Sequence, residues 1–334
     1  PRRQLMLPTR RFGRTELAMP VLSLGGMRFQ QSWSDLPADQ ISADSQANVR
    51  ATLERAVALG FHHLETARHY GSSERQLGWL LPDCPDPARI LQTKVPPQAD
   101  PAAFEAELAM SFERLGVQRV DLLAIHGLNL PEHLEQTLRP GGCLEVVRRW
   151  QEQGRVGAVG FSTHAPLPLI LAAIESGAFD YVNLHWYFIR QDNRPAIEAA
   201  IAQDMGVFVI SPTDKGGHLH TPSRQLLELC APLHPIVFND LFCLSAPGIH
   251  TISVGAARPQ DLDHHLEARA RYGLLGAGSH WFPGANADAL DRSVSERELQ
   301  QALAASPWRE QIPPLLRQLR QRVGGTAGKR LMAD

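Results

Sequence analysis

Apolar residues along this chain follow a repeating order, in which each helix-like stretch is succeeded by a short apolar run. The helix-like stretches carry apolar residues four positions apart, as at Val49, Leu53 and Val57 and at Phe104, Leu108 and Phe112. The short runs are almost wholly apolar, which is typical of strands buried on both faces of a parallel sheet. The pattern therefore predicts helices and strands in alternation.

Eight strands are predicted, at residues 21–24, 61–64, 89–93, 121–125, 156–161, 181–184, 207–210 and 251–254. Five glycines lie where a helix-like stretch meets the next strand: Gly60, Gly116, Gly154, Gly177 and Gly206. Because glycine adopts a left-handed conformation without strain just past a helix, each of them predicts a helix end. Helix starts are predicted at Asp100, an N-cap followed by proline, and in a capping box at residues 73–76.

Eight strands alternating with helices over roughly 250 residues predict a (β/α)₈ barrel (TIM barrel), whose active site lies at the carboxyl ends of the strands. An open doubly wound sheet is the competing fold, but no Gly-x-Gly-x-x-Gly run follows the first strand. We assign residues 1–275 to the barrel. Residues 276–334, where the period breaks, are predicted to be a C-terminal extension packed on it.

Composition excludes several classes of protein. The 334 residues are 43% hydrophobic and 20% charged, as in folded globular proteins. A formal net charge of -2 without a basic run argues against nucleic-acid binding. Four scattered cysteines support neither a zinc module nor a disulfide framework, and no apolar stretch suits a signal peptide or membrane span. We therefore expect a cytoplasmic protein with reduced thiols and no membrane partner.

Four ionisable side chains lie at or just after the ends of the second, third and fourth predicted strands. They are Glu65, Tyr70, Lys94 and His126. Lys94 is notable because the chain has only three lysines among its 33 Lys and Arg residues. An ammonium beside a tyrosine would favour the phenolate, lowering a pKa of about 10 by ~1–3 units. Glu65 would hold Lys94, and His126 would orient a carbonyl oxygen, so the set is suited to delivering a proton to a developing alkoxide.

The chain resembles the aldo-keto reductase family over about residues 9 to 270. The resemblance is carried by six runs, at residues 12–15 (Phe-Gly-Arg-Thr), 65–74, 121–126, 160–163, 211–212 (Ser-Pro) and 254–258. It implies a (β/α)₈ barrel that reduces a small carbonyl substrate with NADPH as hydride donor. Tyr70 would be the proton donor, within a tetrad completed by Lys94, His126 and the acidic Glu65.

Four positions depart from the family pattern. Glu65 stands in place of the usual Asp, and Ser162-Thr163 in place of the Ser-Asn that holds the nicotinamide carboxamide. Asn183 replaces a Gln, and Ile210 replaces the aromatic residue that stacks on the nicotinamide. The departures indicate a divergent member of the family.

The loops after the seventh and eighth strands are predicted to bind the phosphates of the cofactor. Lys215 lies beside two glycines in the first loop, and Arg258 in the second precedes a helix whose N-terminus favours an anion. Because Arg258 can pair with a 2′-phosphate, NADP(H) is favoured over NAD(H). By the resemblance, Gln260 and His265 face the adenosine. The full set of predicted cofactor contacts is Gly26, Met27, Ser162, Thr163, Asn183, Ile210, Ser211, Pro212, Lys215, Gly255, Ala257, Arg258, Gln260 and His265.

Two other classes of function remain open from the sequence. One is a regulatory or redox-sensing barrel that binds NADPH but turns over slowly. The other is a metal-dependent lyase or isomerase with Glu65, Asp121 and His126 as ligands, although Lys94 beside these groups argues against a metal. The carbonyl substrate, the favoured direction of the reaction and the oligomeric state are left open.

Overall fold

The computed structural model describes residues 7–188, 190–214, 217–231 and 233–266. Its strands within these ranges are β1 (Thr9–Arg11), β2 (Ala18–Pro20), β3 (Leu22–Gly25), β4 (His63–Glu65), β5 (Ile90–Val95), β6 (Val120–Ile125), β7 (Val156–Ser162), β8 (Tyr181–Leu184), β9 (Gly206–Val209) and β10 (Thr251–Gly255). β1 and β2 form an antiparallel hairpin. β3 to β10 are parallel neighbours in chain order, and β10 pairs with β3 to close a barrel. The predicted (β/α)₈ barrel is confirmed.

The helices in the same ranges are α1 (Ala43–Ala58), α2 (Ser73–Gly78), α3 (Pro101–Leu115), α4 (Pro131–Leu138), α5 (Cys143–Glu152), α6 (Leu167–Glu175), α7 (Arg194–Ala202), α8 (Arg224–Cys230) and α9 (Pro235–Ser245). α3 begins as predicted, because the Asp100 carboxylate accepts a hydrogen bond from the amide of Ala102 at 2.9 Å. The periodic residues of α3 are buried against the barrel. No helix of the described ranges is long and apolar enough to cross a membrane.

The hairpin of β1 and β2 covers the amino-terminal end of the barrel. Phe12, between the two strands, is fully buried, and its ring centroid lies 5.6 Å from that of Tyr181 in the barrel interior. Leu122 and Phe208 belong to the same apolar cluster. This end of the barrel is therefore filled by apolar side chains, and the polar groups of interest lie toward the other end.

Four of the five predicted glycine junctions have the left-handed conformation: Gly60, Gly116, Gly154 and Gly177. The prediction for Gly206 is wrong. Asp204 takes the left-handed conformation there, with a φ of 52°, and Gly206 is the first residue of β9. A Cβ atom at Gly206 would lie 2.7 Å from the ring of Phe12, so this glycine is required by a close contact and not by backbone conformation.

The predicted capping box at residues 73–76 is also wrong. Ser72 is the N-cap of α2, and its side chain makes no capping hydrogen bond. The Ser73 hydroxyl instead donates to the carbonyl of Gly26 at 2.8 Å, because the helix packs against the loop after β3. The predicted extension at residues 276–334 lies outside the described residues, and the domain boundary at 275 stays a prediction.

Candidate active site

The carboxyl ends of β4, β5 and β6 bring the ionisable residues together. Glu65 is the last residue of β4, Lys94 lies near the end of β5, and His126 follows β6. Strand register places Glu65 opposite Gln92 and Lys94 opposite Ala124. Gln92 and Lys94 are two residues apart on β5 and so share a face, which is also the face of Glu65. Glu65 and Lys94 therefore both enter the barrel interior. Their side chains are 3% and 1% exposed.

Lys94 is the centre of this cluster. Its ammonium group forms an ion pair with the Glu65 carboxylate and donates a hydrogen bond to the carbonyl oxygen of Thr66 at 2.8 Å. The same nitrogen lies 4.6 Å from the ring centroid of Tyr70. The Tyr70 hydroxyl donates to Glu65 Oε1 over a longer distance of 3.5 Å. A buried carboxylate thus contacts both the lysine and the tyrosine.

Burial sets the protonation of these groups. It raises the pKa of Tyr70 above its usual value and lowers the pKa of Lys94 well below its usual value. The expectation of a lowered pKa for Tyr70 is therefore wrong. The physical reason is burial, which outweighs any effect of the nearby ammonium, itself held by Glu65 and a backbone carbonyl over the face of the tyrosine ring. Tyr70 is a phenol, and not a phenolate, at neutral pH.

His126 lies beside Tyr70, with ring centroids 5.6 Å apart and planes at 87°. Burial lowers its pKa well below the usual range, and the nearby Lys94, His69 and His164 lower it further. The imidazole of His126 is consequently neutral at physiological pH, so one ring nitrogen can donate a hydrogen bond and the other can accept one.

The strand-end residues Ser162 and Thr163 hold the loop after β6. The Ser162 hydroxyl accepts a hydrogen bond from the amide of Gly127 at 3.1 Å. The Thr163 hydroxyl donates to the Leu128 carbonyl at 2.8 Å and accepts from the Ala165 amide at 3.0 Å. Both hydrogen-bonding functions of Thr163 are thus used within the chain, whereas the hydroxyl hydrogen of Ser162 has no acceptor among the described residues and could serve a ligand.

Asn183 has a buried side-chain amide that suits a polar ligand. Its side chain is fully buried, yet neither its amide nitrogen nor its amide oxygen has a hydrogen-bond partner there. Buried polar groups are normally paired, because an unpaired one costs ~1–3 kcal/mol. A primary amide presents the complementary donor and acceptor, so Asn183 fits the nicotinamide carboxamide that the sequence predicts.

Other predicted cofactor contacts also lie at this end of the barrel. Gly26 and Met27 form a 3₁₀ turn directly after β3, and a Cβ atom at Gly26 would lie 2.9 Å from the Glu65 carbonyl oxygen. Ile210 follows β9, and Ser211 is in the left-handed region with a φ of 51°. The carbonyl of Pro212 accepts a hydrogen bond from the side-chain amide of Asn239 at 2.7 Å. Lys215 lies outside the described residues.

The predicted phosphate site after β10 already contains a carboxylate. Asp261 accepts a hydrogen bond from the amide of Ala257 at 2.9 Å and from Arg258 Nε at 3.1 Å. Burial opposes its ionisation, but the bonds from Ala257 and Arg258 outweigh it, and the pKa of Asp261 is lowered. The amide that we expected to face a phosphate is therefore occupied within the chain. The Arg258 side chain is 71% exposed and so remains accessible.

Arg28 belongs to the same region and was missed in the sequence. Its Nη1 lies 3.9 Å from Asp261 Oδ2, and its side chain passes 3.7 Å from the position a Cβ atom would take at Gly255. It also lies against Gly217, where the corresponding distance is 2.9 Å. The available signal was an arginine two residues after the Gly-Gly pair that ends the first strand.

His265 and Gln260 differ in accessibility. Gln260 is exposed in the 3₁₀ turn Pro259–Leu262. His265 is fully buried, with Nδ1 2.5 Å from Asp240 Oδ2. We therefore withdraw His265 as an adenosine contact, because its ring is enclosed by the protein and paired with a carboxylate.

The metal-ligand alternative is not supported by the placement of its residues. Asp121 lies at the amino-terminal end of β6 and accepts from the amide of Leu91 at 2.9 Å, whereas His126 follows the other end of that strand. Across the described ranges, no group of three or more His, Cys, Asp or Glu side chains is arranged to hold a metal ion.

Comparison with known proteins adds to this geometry. A family model described as the aldo/keto reductase family matches residues 21–228. A D-threo-aldose 1-dehydrogenase from Pseudomonas sp is 26% identical over 178 residues, which are 44% of this chain and 51% of that protein. The match thus spans about half the length of this curated relative.

Solved structures share the fold. An aldo-keto reductase from Bacillus halodurans, in its holo form, superposes with a TM-score of 0.66 at 16% identity, covering 82% of this chain and 98% of that one. An aldo/keto reductase from Klebsiella pneumoniae in complex with NADP and acetate has a TM-score of 0.61 at 17% identity, covering 90% and 96%. At such identities the likeness shows a shared fold and no more.

Proposed function

Because the chain belongs to the aldo/keto reductase family, we propose that it is an NADP(H)-dependent oxidoreductase that reduces aldehydes or ketones to alcohols. The observation that carries this proposal is the convergence of Tyr70, Lys94, Glu65 and His126 at the carboxyl end of the barrel. The nicotinamide, when bound, supplies a hydride to the carbonyl carbon.

Tyr70 is the proton donor in this proposal. Its raised pKa keeps the phenol protonated at neutral pH, so a proton is available for the alkoxide oxygen that develops on the substrate. Neutral His126 donates a hydrogen bond that orients the carbonyl oxygen toward Tyr70. Once the proton has left, Lys94 lies near enough to stabilise the tyrosinate, and Glu65 keeps Lys94 in place.

Residues around the strand ends would hold the cofactor. The side-chain amide of Asn183 and the hydroxyl hydrogen of Ser162 have no partner among the described residues, and both suit the carboxamide of the nicotinamide. Arg258 and Arg28 supply positive charge for phosphate, and the exposed Arg258 is suited to a 2′-phosphate. The name of the curated relative, an aldose dehydrogenase, and the NADP in the Klebsiella structure are consistent with this assignment.

Tyr70→Phe tests the proposal. We expect NADPH binding, measured by the quenching of tryptophan fluorescence, to be retained. Turnover of a test aldehyde should fall by ~10²–10⁴-fold. Tyr181→Phe is the matched control, because it removes a hydroxyl that has no partner among the described residues of the barrel interior. Full activity of Tyr70→Phe would refute the assignment. NADPH binding by the unaltered protein without hydride transfer in a single turnover would favour the regulatory barrel.

A further inference from the structure

We propose that His164, backed by His185, binds a carboxylate group of the substrate, so that the site prefers carbonyl compounds with an anionic substituent, such as oxo acids, to uncharged aldehydes and sugars. This inference rests on the function proposed above and names the substrate class for the same site. It is carried by four histidines at the carboxyl end of the barrel, which we call the imidazole group: His69, His126, His164 and His185.

The ends of four strands bring the imidazole group together. His69 lies four residues after β4 and His126 directly follows β6, whereas His164 lies two residues after β7 and His185 directly follows β8. Because the carboxyl ends of parallel strands share one edge, the four histidines lie at the same end of the barrel as Tyr70.

His126 connects the imidazole group to the place where a carbonyl would react. Its ring centroid lies 5.6 Å from that of Tyr70 and 6.3 Å from that of His69. His164 is also close enough for its charge to lower the pKa of His126. A carbonyl oxygen held by Tyr70 and His126 therefore has further imidazoles beside it, where a substituent of the substrate would lie.

His164 and His185 form a fixed pair. His185 Nε2 lies 2.5 Å from His164 Nδ1, and the ring centroids are 4.6 Å apart. His185 is fully buried, and its carbonyl oxygen accepts from the side-chain amide of Asn193 at 2.8 Å. His164 is exposed, and its backbone amide donates to the side chain of Asn129 at 2.6 Å. The exposed ring is thus already oriented before a ligand arrives, which lowers the cost of binding.

The pair is suited to carrying one positive charge near neutral pH. One imidazole must donate to the other, so a single proton is held between the two rings. Histidine takes up a further proton between pH 5 and 8, and the hydrogen bond to a neutral partner then becomes charge-assisted. Since His185 is enclosed, the exposed His164 is the ring that presents this charge to a ligand.

The carboxylates that face the imidazole group have partners of their own. Glu65 forms the ion pair with Lys94. Asp214 accepts from the hydroxyl of Tyr187 at 2.9 Å, and the ring of Tyr187 lies between it and His185, 6.0 Å from that imidazole. A carboxylate on the substrate is therefore a suitable counter-ion for the pair, whereas the hydroxyl of a sugar would form no ion pair there.

The test compares two aldehydes of the same shape, 4-oxobutanoate and 4-methylpentanal, in which two methyl groups replace the carboxylate oxygens. For the unaltered protein we expect the ratio of kcat/KM for 4-oxobutanoate to that for 4-methylpentanal to fall on the order of 10-fold between pH 6 and pH 8, as histidine loses its charge. Neither substrate titrates in this range, so the ratio cancels the pH dependence of the shared proton transfer.

Variants of His164 separate its charge from its packing. His164→Gln should lower the ratio at pH 6 on the order of 10-fold, as for the loss of a hydrogen bond to a charged group, and should remove its dependence on pH. His164→Arg should keep the ratio high up to pH 8, because the guanidinium keeps its charge. His264→Gln is the matched control, at a half-buried histidine that stacks on His234 beyond β10.

An equal ratio at pH 6 and pH 8 in the unaltered protein, or equal ratios in His164→Gln and His264→Gln, would overturn the inference. A preference for D-arabinose over 4-oxobutanoate at pH 6 would do the same. If the unaltered protein reduces none of the three aldehydes, the proposed function fails, and calorimetric binding of 4-hydroxybutanoate at pH 6 decides the role of His164 separately. Weaker binding to His164→Gln than to His264→Gln supports the carboxylate site, and equal or undetectable binding contradicts it.

Discussion

Lys94 lies over the face of the Tyr70 ring and not beside its hydroxyl, with Nζ 4.6 Å from the ring centroid. The ammonium is held there by the Glu65 carboxylate and by the Thr66 carbonyl. In the resting protein the lysine is therefore paired with a carboxylate, and the tyrosine keeps its proton. The positive charge favours the tyrosinate that forms on proton release, whereas burial keeps the pKa of the resting phenol raised.

The pairing predicts how Glu65 variants respond to pH. Burial already lowers the pKa of Lys94, and the Glu65 carboxylate opposes that effect by favouring the ammonium. Glu65→Gln removes the opposing charge, so the pKa of Lys94 falls further and the ammonium is lost at a lower pH. We expect the alkaline limb of kcat/KM against pH to move down by about one unit or more. Glu65→Asp keeps the charge and should leave the limb nearly in place.

The measurement is a pH profile of aldehyde reduction for the three proteins. An alkaline limb at the same pH in Glu65→Gln as in the unaltered protein would show that Glu65 does not maintain the charge of Lys94. Inactivity of Glu65→Asp over the whole range would show instead that the site requires the longer carboxylate.

The position of Asp261 is expected to limit the preference for NADPH over NADH. Its carboxylate accepts hydrogen bonds from the Ala257 amide and from Arg258. It therefore repels a phosphate and competes with it for these two donors. Asp261→Asn should tighten NADPH binding on the order of 10-fold, as for a charge-assisted hydrogen bond gained, with a smaller effect on NADH. Arg258→Ala should reduce the preference for NADPH.

Titration of tryptophan fluorescence with each nucleotide provides the dissociation constants. Asp263→Asn is the matched control, because Asp263 is two residues away and pairs with Arg55 of α1. Equal tightening for NADPH and NADH in Asp261→Asn would mean that the carboxylate does not act on the 2′-phosphate.

Burial of His63 is expected to lower the free energy of unfolding in acid. It is fully buried in the barrel, its Nδ1 lies 2.6 Å from Ser23 Oγ, and burial with a contribution from Lys94 lowers its pKa from 6.5 to about 3. Between these values the unfolded chain binds a proton that the folded chain does not. The free energy of unfolding therefore falls as the pH drops, by up to ~1.4 kcal/mol per pH unit from this residue.

Urea unfolding between pH 7 and pH 4.5 checks this expectation. His63→Gln removes the ionisable ring, so its free energy of unfolding should depend less steeply on pH, even if the variant is less stable at pH 7. His69→Gln, at an exposed histidine, is the control. Parallel curves for His63→Gln and the unaltered protein would contradict the assignment.

The closed barrel was determined by local properties of the sequence. Helical spacing, apolar runs, the glycines at four helix ends and the Asp100 cap each depend on a few neighbouring residues, so they can be identified without knowing the fold. Once eight strands alternate with helices, Glu65, Lys94 and His126 must lie at the same end of the barrel, because the carboxyl ends of parallel strands share one edge.

Contacts between distant parts of the chain were decided only by the tertiary structure. The sequence did not show that Gly206 makes room for Phe12, that Asp261 enters the predicted phosphate site beside Arg28, or that His265 is enclosed with Asp240. Nor did it pair His164 with His185, 21 residues further along the chain. Burial and close approach depend on how separate elements pack, and the local pattern of apolar and polar residues does not specify which side chains then meet.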